Sequence, residues 1–305
     1  AKGLFLASWK KGTREEYTTY FKQWNIFCKQ RKFKANSPSV NNVIEFLTSL
    51  ALKGLSYSAI NTARSALSSV IVIEGKTVGS HFRVVRLMRW IFNMRPAIPK
   101  SVVTWDPQIL LDYLRKLSPV KELSLLNLTR KFVALLWLLT GQRGQTIQYI
   151  SIKNIILTDN SLKISFGDVL KTTRPGFQQK EIRLKGYAPD RRLCIVTVAK
   201  SYLERTKIFR KGEKQNQLFI TTIKPHENAQ RGTIYKWVTH CLMEAGVDLS
   251  KFTPYSIRAA ATSAASRSHV PLSTIMGSAG WTRESTFRKY YEKPINEFTN
   301  LVLNK

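Results

Sequence analysis

The chain has 305 residues, 43% of them hydrophobic, and its 49 Lys and Arg against 19 Asp and Glu leave a formal net charge of +30. No uninterrupted apolar run approaches the roughly 20 residues of a bilayer span, the opening AKGLFLASWKKG lacks the pattern of a secretory signal, and Cys28, Cys194 and Cys241 show no C-x-x-C spacing, which argues against a disulfide framework or a zinc site. A cation excess of this size, spread along the chain, repels itself unless the working partner is a polyanion, so double-stranded DNA or another nucleic acid is expected and a membrane is not.

In chain order, residues 13–34 (TREEYTTYFKQWNIFCKQRKFK) begin with a Thr cap and early Glu, repeat aromatics at helical spacing and end in basic residues, which predicts a helix. SPSVNNVIEFLTSLALKG (37–54) and SYSAINTARSALSSVIVIEG (56–75) predict two more, each with a Ser start and a terminal Gly. A fourth, SHFRVVRLMRWIFNMR (80–95), sets Arg83, Arg86 and Arg89 on one side, opposite Val84, Leu87, Met88 and Ile91. Acidic partners are few nearby, so these arginines read as phosphate contacts in preference to a solvated stripe.

RPAIPKSVVTWDP (95–107), with three prolines and little periodicity, reads as a linker. Length also favours two domains: an all-helical one over 1–98, a linker over 99–106, and a second over 107–305. The second opens with a helix from about Pro107 to Leu117, then a strongly apolar one ending at Gly141. YISIKNIILT and SLKISFGDVL alternate apolar and polar residues around DNS as a hairpin does, QQKEIRL can add a third strand, and helices return from Cys194 with one short strand-like run, QLFIT. The whole is predicted to be mainly α with a small antiparallel β-sheet.

Several chemistries find no support. H-E-x-x-H, G-x-S-x-G and the phosphate-loop pattern G-x-x-x-x-G-K-[ST] are absent, as is an acidic cluster able to hold Mg²⁺, so no metal or cofactor is expected. What remains is basic residues at structurally telling places. In TGQRGQT, Arg143 follows the Gly that ends a buried helix, where it can grip a phosphate with paired hydrogen bonds, although such a terminus attracts cations anyway. Lys171, in VLKTTRPG at a hairpin tip, can reach a reacting oxygen or simply be solvated. Arg258, early in TPYSIRAAATSAA, lies in a helix of small residues that permit close packing, and it can equally be incidental. GWTRESTFRKYY ends in Tyr290 and Tyr291, and helical neighbours point about 100° apart, so at most one can face a substrate.

In order, these pieces resemble the tyrosine recombinase superfamily of phage integrases, chromosome-dimer resolvases and their mobile-element relatives. The resemblance rests on TGQRGQT, the hairpin Lys171, PYSIRAA for the family's H-x-x-R box and GSAGWTRESTFRKYY for its last box, over about residues 140–291. KTTRPG, IRAAATSAA and GWTRESTFRKYY look closest to recombinases of eukaryotic DIRS-, Ngaro- and Crypton-type transposable elements. The resemblance implies a helical core-binding domain and an α+β catalytic domain that clamp duplex DNA, with Arg174 of KTTRPG among the DNA contacts. It implies a nuclear, tetrameric enzyme for mobile-element integration or excision, whose segment after the nucleophile contacts a neighbouring protomer.

The family's spacing of nine from the His or Trp of the last box leads from Trp281 to Tyr290 as nucleophile, leaving Tyr291 to pack. The resemblance further implies that Arg143 and Arg258 hold the scissile phosphate, that Trp281 donates a hydrogen bond, and that Lys171 protonates the leaving 5′ oxygen, giving a 3′-phosphotyrosine. Two positions depart from the pattern: Tyr255 stands where the H-x-x-R histidine sits, and Thr146 where many members carry an acidic residue. A phenol with an ordinary pKa near 10 donates a hydrogen bond but shuttles no proton near neutrality, so a catalytically impaired DNA-binding relative is the rival expectation. A relaxing enzyme of type IB topoisomerase kind is a second. His81, His226, His240 and His269 have no motif context.

Overall fold

The structure, a computed structural model, describes residues 9–96, 102–167, 181–210 and 215–295, and the chain divides into two compact units, 1–99 and 100–305. In the first, α1 (Lys11–Gln30), α2 (Val40–Leu52), α3 (Tyr57–Ser68) and α4 (Phe82–Met94) surround a core of Trp24, Val43, Phe46, Leu47, Leu50, Ile60, Leu67, Val84, Met88 and Ile91. Val43, Phe46, Leu47 and Leu50 recur at the helical interval that makes one apolar stripe. Ser39 and Asn42 cap α2 reciprocally, and Ser56 caps α3.

Two local expectations change. Helix α1 starts before Thr13, with Lys10 at its N-cap and no side-chain cap. Helix α3 stops at Ser68, and the β-branched run Val70–Ile73 turns instead into a short hairpin, β1 (Val72–Ile73) with β2 (Lys76–Thr77). Glu74 and Gly75 take positive φ at its tip, the geometry of a tight hairpin turn.

In the second unit, α5 (Pro107–Lys116) carries Asp106 as its cap and Pro107 in the first turn. The central element is α6 (Leu125–Thr140), buried nearly all round through Leu128, Phe132, Val133, Leu135, Leu136 and Trp137, as a helix that is apolar on every side must be. After it come α7 (Gly144–Gln148) and a sheet of β3 (Ile155–Leu157), β4 (Ser161–Ile164) and β5 (Ile182–Lys185), antiparallel in that order. Leu162 pairs with Leu184 and Ile164 with Ile182, which turns Leu162, Ile164 and Ile182 into the core.

The expected first strand is shortened because Ser151 accepts from Lys153 N and Ile152–Asn154 form a single 3₁₀ turn. QLFIT is buried through Leu218, Phe219 and Ile220 but pairs only in isolated bridges, Ser151 with Gln217 and Ile220 with Asn228. Helices α8 (Ile195–Thr206), α9 (Arg231–Glu244) and α10 (Ser256–Arg267) pack against α6 or its neighbours, and α11 (Leu272–Ala279) and α12 (Glu284–Tyr290) close the described chain over a small core of Ile275, Ala279, Trp281 and Phe287. Among the described residues no helix is long and apolar enough to cross a membrane.

Candidate active site

Helix α6 delivers the first arginine. Gly141 ends it at φ 58°, and a side-chain carbon there would lie 3.1 Å from Thr262 Cγ2, so both the backbone turn and the close approach of α10 call for glycine. The next residues are fixed by hydrogen bonds to α6 and to the end of α11. Trp137 Nε1 donates to Gln142 O (2.7 Å), Gln142 Nε2 donates to Ser278 O, and Ser278 Oγ donates to Thr140 O (3.0 Å). Arg143, at the N-cap of α7, sends Nη1 to Gly280 O (3.3 Å). Thr146 is buried in α7, and no carboxylate forms an ion pair with Arg143 among the described residues.

Arg258, the third residue of α10, is fully buried. Its Nη1 donates to Gly141 O (2.7 Å), while Nε and Nη2 have no hydrogen-bond partner. The guanidinium lies 4.1 Å from the centre of the Trp281 ring and 5.1 Å from that of Tyr291. Burial first, and then the neighbouring Arg143 charge, pull its pKa down to about 10. Two unmade donors on a buried cation beside a second cation describe a place where an anion belongs: each unsatisfied donor costs about 1–3 kcal/mol until it is occupied.

The two tyrosines part at the end of α12. Tyr290 is its last residue, 56% exposed, with Lys289 Nζ 5.4 Å from its ring, and it stays outside the cluster. Tyr291 enters it: the ring sits 4.6 Å from that of Trp281, and its hydroxyl meets the Tyr255 hydroxyl at 2.6 Å. The nine-residue spacing from Trp281 points to the other tyrosine, Tyr290, so spacing and placement select different residues. The physical reason is Phe287, the one large apolar side chain of α12 in this core. Tyr291, one position past the helix end, follows Phe287 inward, whereas Tyr290, three positions on from Phe287, lies about 60° from it around the helix and stays out. That signal was present in the sequence but competed with the family spacing.

Tyr255 stands at the N-cap of α10, 38% exposed, and burial followed by the bond to Tyr291 push its pKa up to about 12. Trp281, 5% exposed, keeps its indole Nε1 without a partner. The structure therefore brings Arg143, Arg258, Tyr255 and Trp281 together with Tyr291, and leaves Tyr290 out. Lys171 and Arg174 lie outside the described residues. Arg83, Arg86 and Arg89 are exposed on α4 as their spacing requires, with Arg83 Nη1 bonded to Asn41 Oδ1 (3.3 Å) and its guanidinium 5.8 Å from the Phe82 ring. The backbone-fixing residues Gln142, Ser263 and Ser278 lie inside TGQRGQT, IRAAATSAA and GSAGWTRESTFRKYY, but nothing in those stretches marks them for that task. Among the described residues no cluster of His, Cys, Asp and Glu is placed to hold a metal ion.

Residues 110–297 match the Phage integrase family. The chain belongs to that family. It is thereby a tyrosine-type DNA strand transferase. Solved phage integrase folds agree with the architecture. The Tn1549 transposon integrase in complex with transposon right end DNA superposes with a TM-score of 0.64 at 13% identity, over 97% of this chain and 93% of that one. The XerH site-specific recombinase in its post-cleavage complex with palindromic difH gives 0.61 at 15% identity, over 91% and 75%. A lambda integrase tetramer bound to a Holliday junction gives 0.55 at 15% identity, over 96% and 76%. No curated protein shows significant sequence similarity to the chain.

Proposed function

We propose that this phage integrase family member is a site-specific recombinase that cleaves and rejoins duplex DNA through Tyr291. The phenolic oxygen attacks the scissile phosphorus, the bond to the 5′ oxygen breaks, and the product is a 3′-phosphotyrosine. A second 5′ hydroxyl reverses the step, so the phosphodiester bond energy is retained in the covalent link. Arg143 and Arg258 hold the non-bridging oxygens, whose charge grows in the transition state. Lys171 protonates the leaving oxygen, and Trp281 donates its indole N–H. Tyr255 orients the Tyr291 hydroxyl through their hydrogen bond, and the phenolic proton leaves to solvent from the half-exposed Tyr291.

One observation carries the reading: a fully buried arginine with two unpartnered nitrogens beside the hydroxyl-bearing ring of Tyr291. A role in mobile-element integration or excision, a nuclear location and a tetramer on paired sites complete the proposal. They rest on the resemblance of KTTRPG and GWTRESTFRKYY to eukaryotic element recombinases and on the tetrameric lambda integrase as a fold relative.

The test is a covalent adduct on a denaturing gel, with a nicked suicide duplex carrying the target site and the adducted peptide sequenced by mass spectrometry. The adduct is expected on Tyr291, lost with Tyr291→Phe and kept with Tyr290→Phe. The opposite pattern restores the spacing-based assignment. Tyr255 in the histidine position, with its pKa near 12, favours one second reading, a relative that binds DNA without cutting it. Tight binding without any adduct would establish that reading instead.

A further inference from the structure

We infer that Ser263 is a positioning residue whose hydroxyl, by fastening the backbone after α12, holds the inward-turned Tyr291 beside Arg258. The inference rests on the reading of Tyr291 as nucleophile.

Helix α12 has only seven residues, too short to hold an orientation by itself. Its direction is set by what grips its ends. At the leading end the chain turns through Gly280 at φ 67°, and Trp281 and Phe287 are buried. At the trailing end the helix is over: Tyr291 has φ −129° and ψ −22°. Where its side chain goes therefore depends on what holds the backbone beyond the last turn.

Ser263 holds it. Its Oγ donates to Tyr291 O and accepts from Lys293 N (2.9 Å), so one hydroxyl fastens the peptide groups on both sides of Glu292. Ser263 is 2% exposed, so water is poorly placed to take over either bond. The same face of α10 carries further contacts to the strap. Ser266 Oγ donates to Glu292 Oε1 (3.0 Å) and Arg267 Nη1 to Lys293 O (3.2 Å). Residues 263, 266 and 267 stand at the three- and four-residue intervals that make one helix face. Thr104 N adds a bond to Pro294 O (2.8 Å).

The consequence is geometric. Arg258 and Ser263 sit on one helix, about 7.5 Å apart along its axis. The anion-holding guanidinium and the grip on the tyrosine are thus registered on one rigid element, and a shift of one moves the other. Without the grip, the trailing end of α12 loses its buried anchor and Tyr291 leaves the ring stack. A displacement of about 1 Å in a reacting group lowers rates by about a hundredfold, and a partial loss of order by less.

The experiment uses the full chain and a nicked suicide duplex, with cleavage measured in a single turnover at saturating DNA and affinity measured separately. Ser263→Ala is expected to slow adduct formation by about ten- to a hundredfold while the Kd for DNA stays within about twofold. Ser263→Cys, which keeps the volume and a weak donor, is expected to fall between. The shape of the pH–rate profile should not change, because Ser263 moves no proton. Wild-type speed in Ser263→Ala, with the adduct on Tyr291, overturns this inference alone. A loss of cleavage matched by equal losses of DNA affinity and of melting temperature in both variants also overturns it, in favour of a general structural role. A wild-type chain that forms no adduct, or forms it on Tyr290, overturns the functional reading and this inference with it.

Discussion

Replacing Arg258 by methionine separates folding from function, because the buried guanidinium is placed for an anion. Burial and the Arg143 charge bring its pKa from the ordinary 12.5 down to about 10. At about 1.4 kcal/mol per pH unit, the charged side chain is held at a disadvantage of about 3 kcal/mol. Arg258→Met removes that disadvantage. It also removes the bond to Gly141 O and the ring contact with Trp281, worth about 1.5 and about 1–2 kcal/mol. The terms nearly cancel, so the free protein is expected to keep its stability within about 1 kcal/mol, a shift of about 2–4 °C in Tm for a unit of this size.

Cleavage behaves differently. Each lost transition-state donor lowers the rate by about 10²–10³, so the variant is expected at least a thousandfold down in a suicide-substrate assay. Duplex DNA should also raise the melting temperature of the wild type more than that of the variant. A loss of more than about 4 kcal/mol of stability for Arg258→Met in denaturant titration is instead the signature of a structural arginine and refutes the anion site. Retention of cleavage within tenfold of wild type refutes it from the other side.

Tyr255→His places a group of ordinary pKa near 6.5 against the Tyr291 hydroxyl, and single-turnover cleavage at pH 7 is expected to rise about tenfold, with the rising limb of the pH–rate profile moved towards neutrality; an unchanged profile counts against a role for that contact. Lys131 is fully buried, with Nζ donating to Leu117 O (2.6 Å) and Ser118 Oγ (3.4 Å), and burial pulls its pKa from 10.5 down to about 8. Between those values the unfolded chain holds a proton that the folded one has released, so stability should rise with pH from about 8 upward, by as much as about 3 kcal/mol, and the disadvantage is fully present below about 8. Urea titrations from about pH 7 to about 8.5, below the range in which the raised thiols of Cys28 and Cys241, and at higher pH Tyr202 and Tyr255, reverse the trend, should show the start of the limb, and Lys131→Met should flatten it. On α4, changing Arg83, Arg86 and Arg89 to Gln should weaken DNA binding for every sequence alike and make the dependence of log Kd on log salt shallower by about 0.9 per arginine; an unchanged slope places these residues off the DNA.

Much of this protein is legible before folding because the relevant forces act over short sequence distances. Charge excess names a polyanionic partner, periodicity gives the helices, and the alternation around DNS gives the sheet. Gly141 marks both the end of α6 and the start of the first arginine's turn. Arg258 and Trp281 were found from motifs, and the structure sets them beside Arg143. At the β-branched run Val70–Ile73 the local pattern is ambiguous. There an apolar repeat fits a helix or a strand, and the turn at Glu74 and Gly75 decides.

The tertiary structure decided which tyrosine meets Arg258, between two signals that conflict in the sequence. In the sequence, Tyr290 and Tyr291 differ by one position, and counting from Trp281 selects the first. In space, the helix ends between them. Phe287 turns one face of α12 inward, and Ser263, on an element twenty-eight residues away along the chain, fastens the backbone on either side of Glu292. No local pattern encodes that bond, because its energy comes from burying a hydroxyl against the backbone after α12, which only the folded chain brings to it.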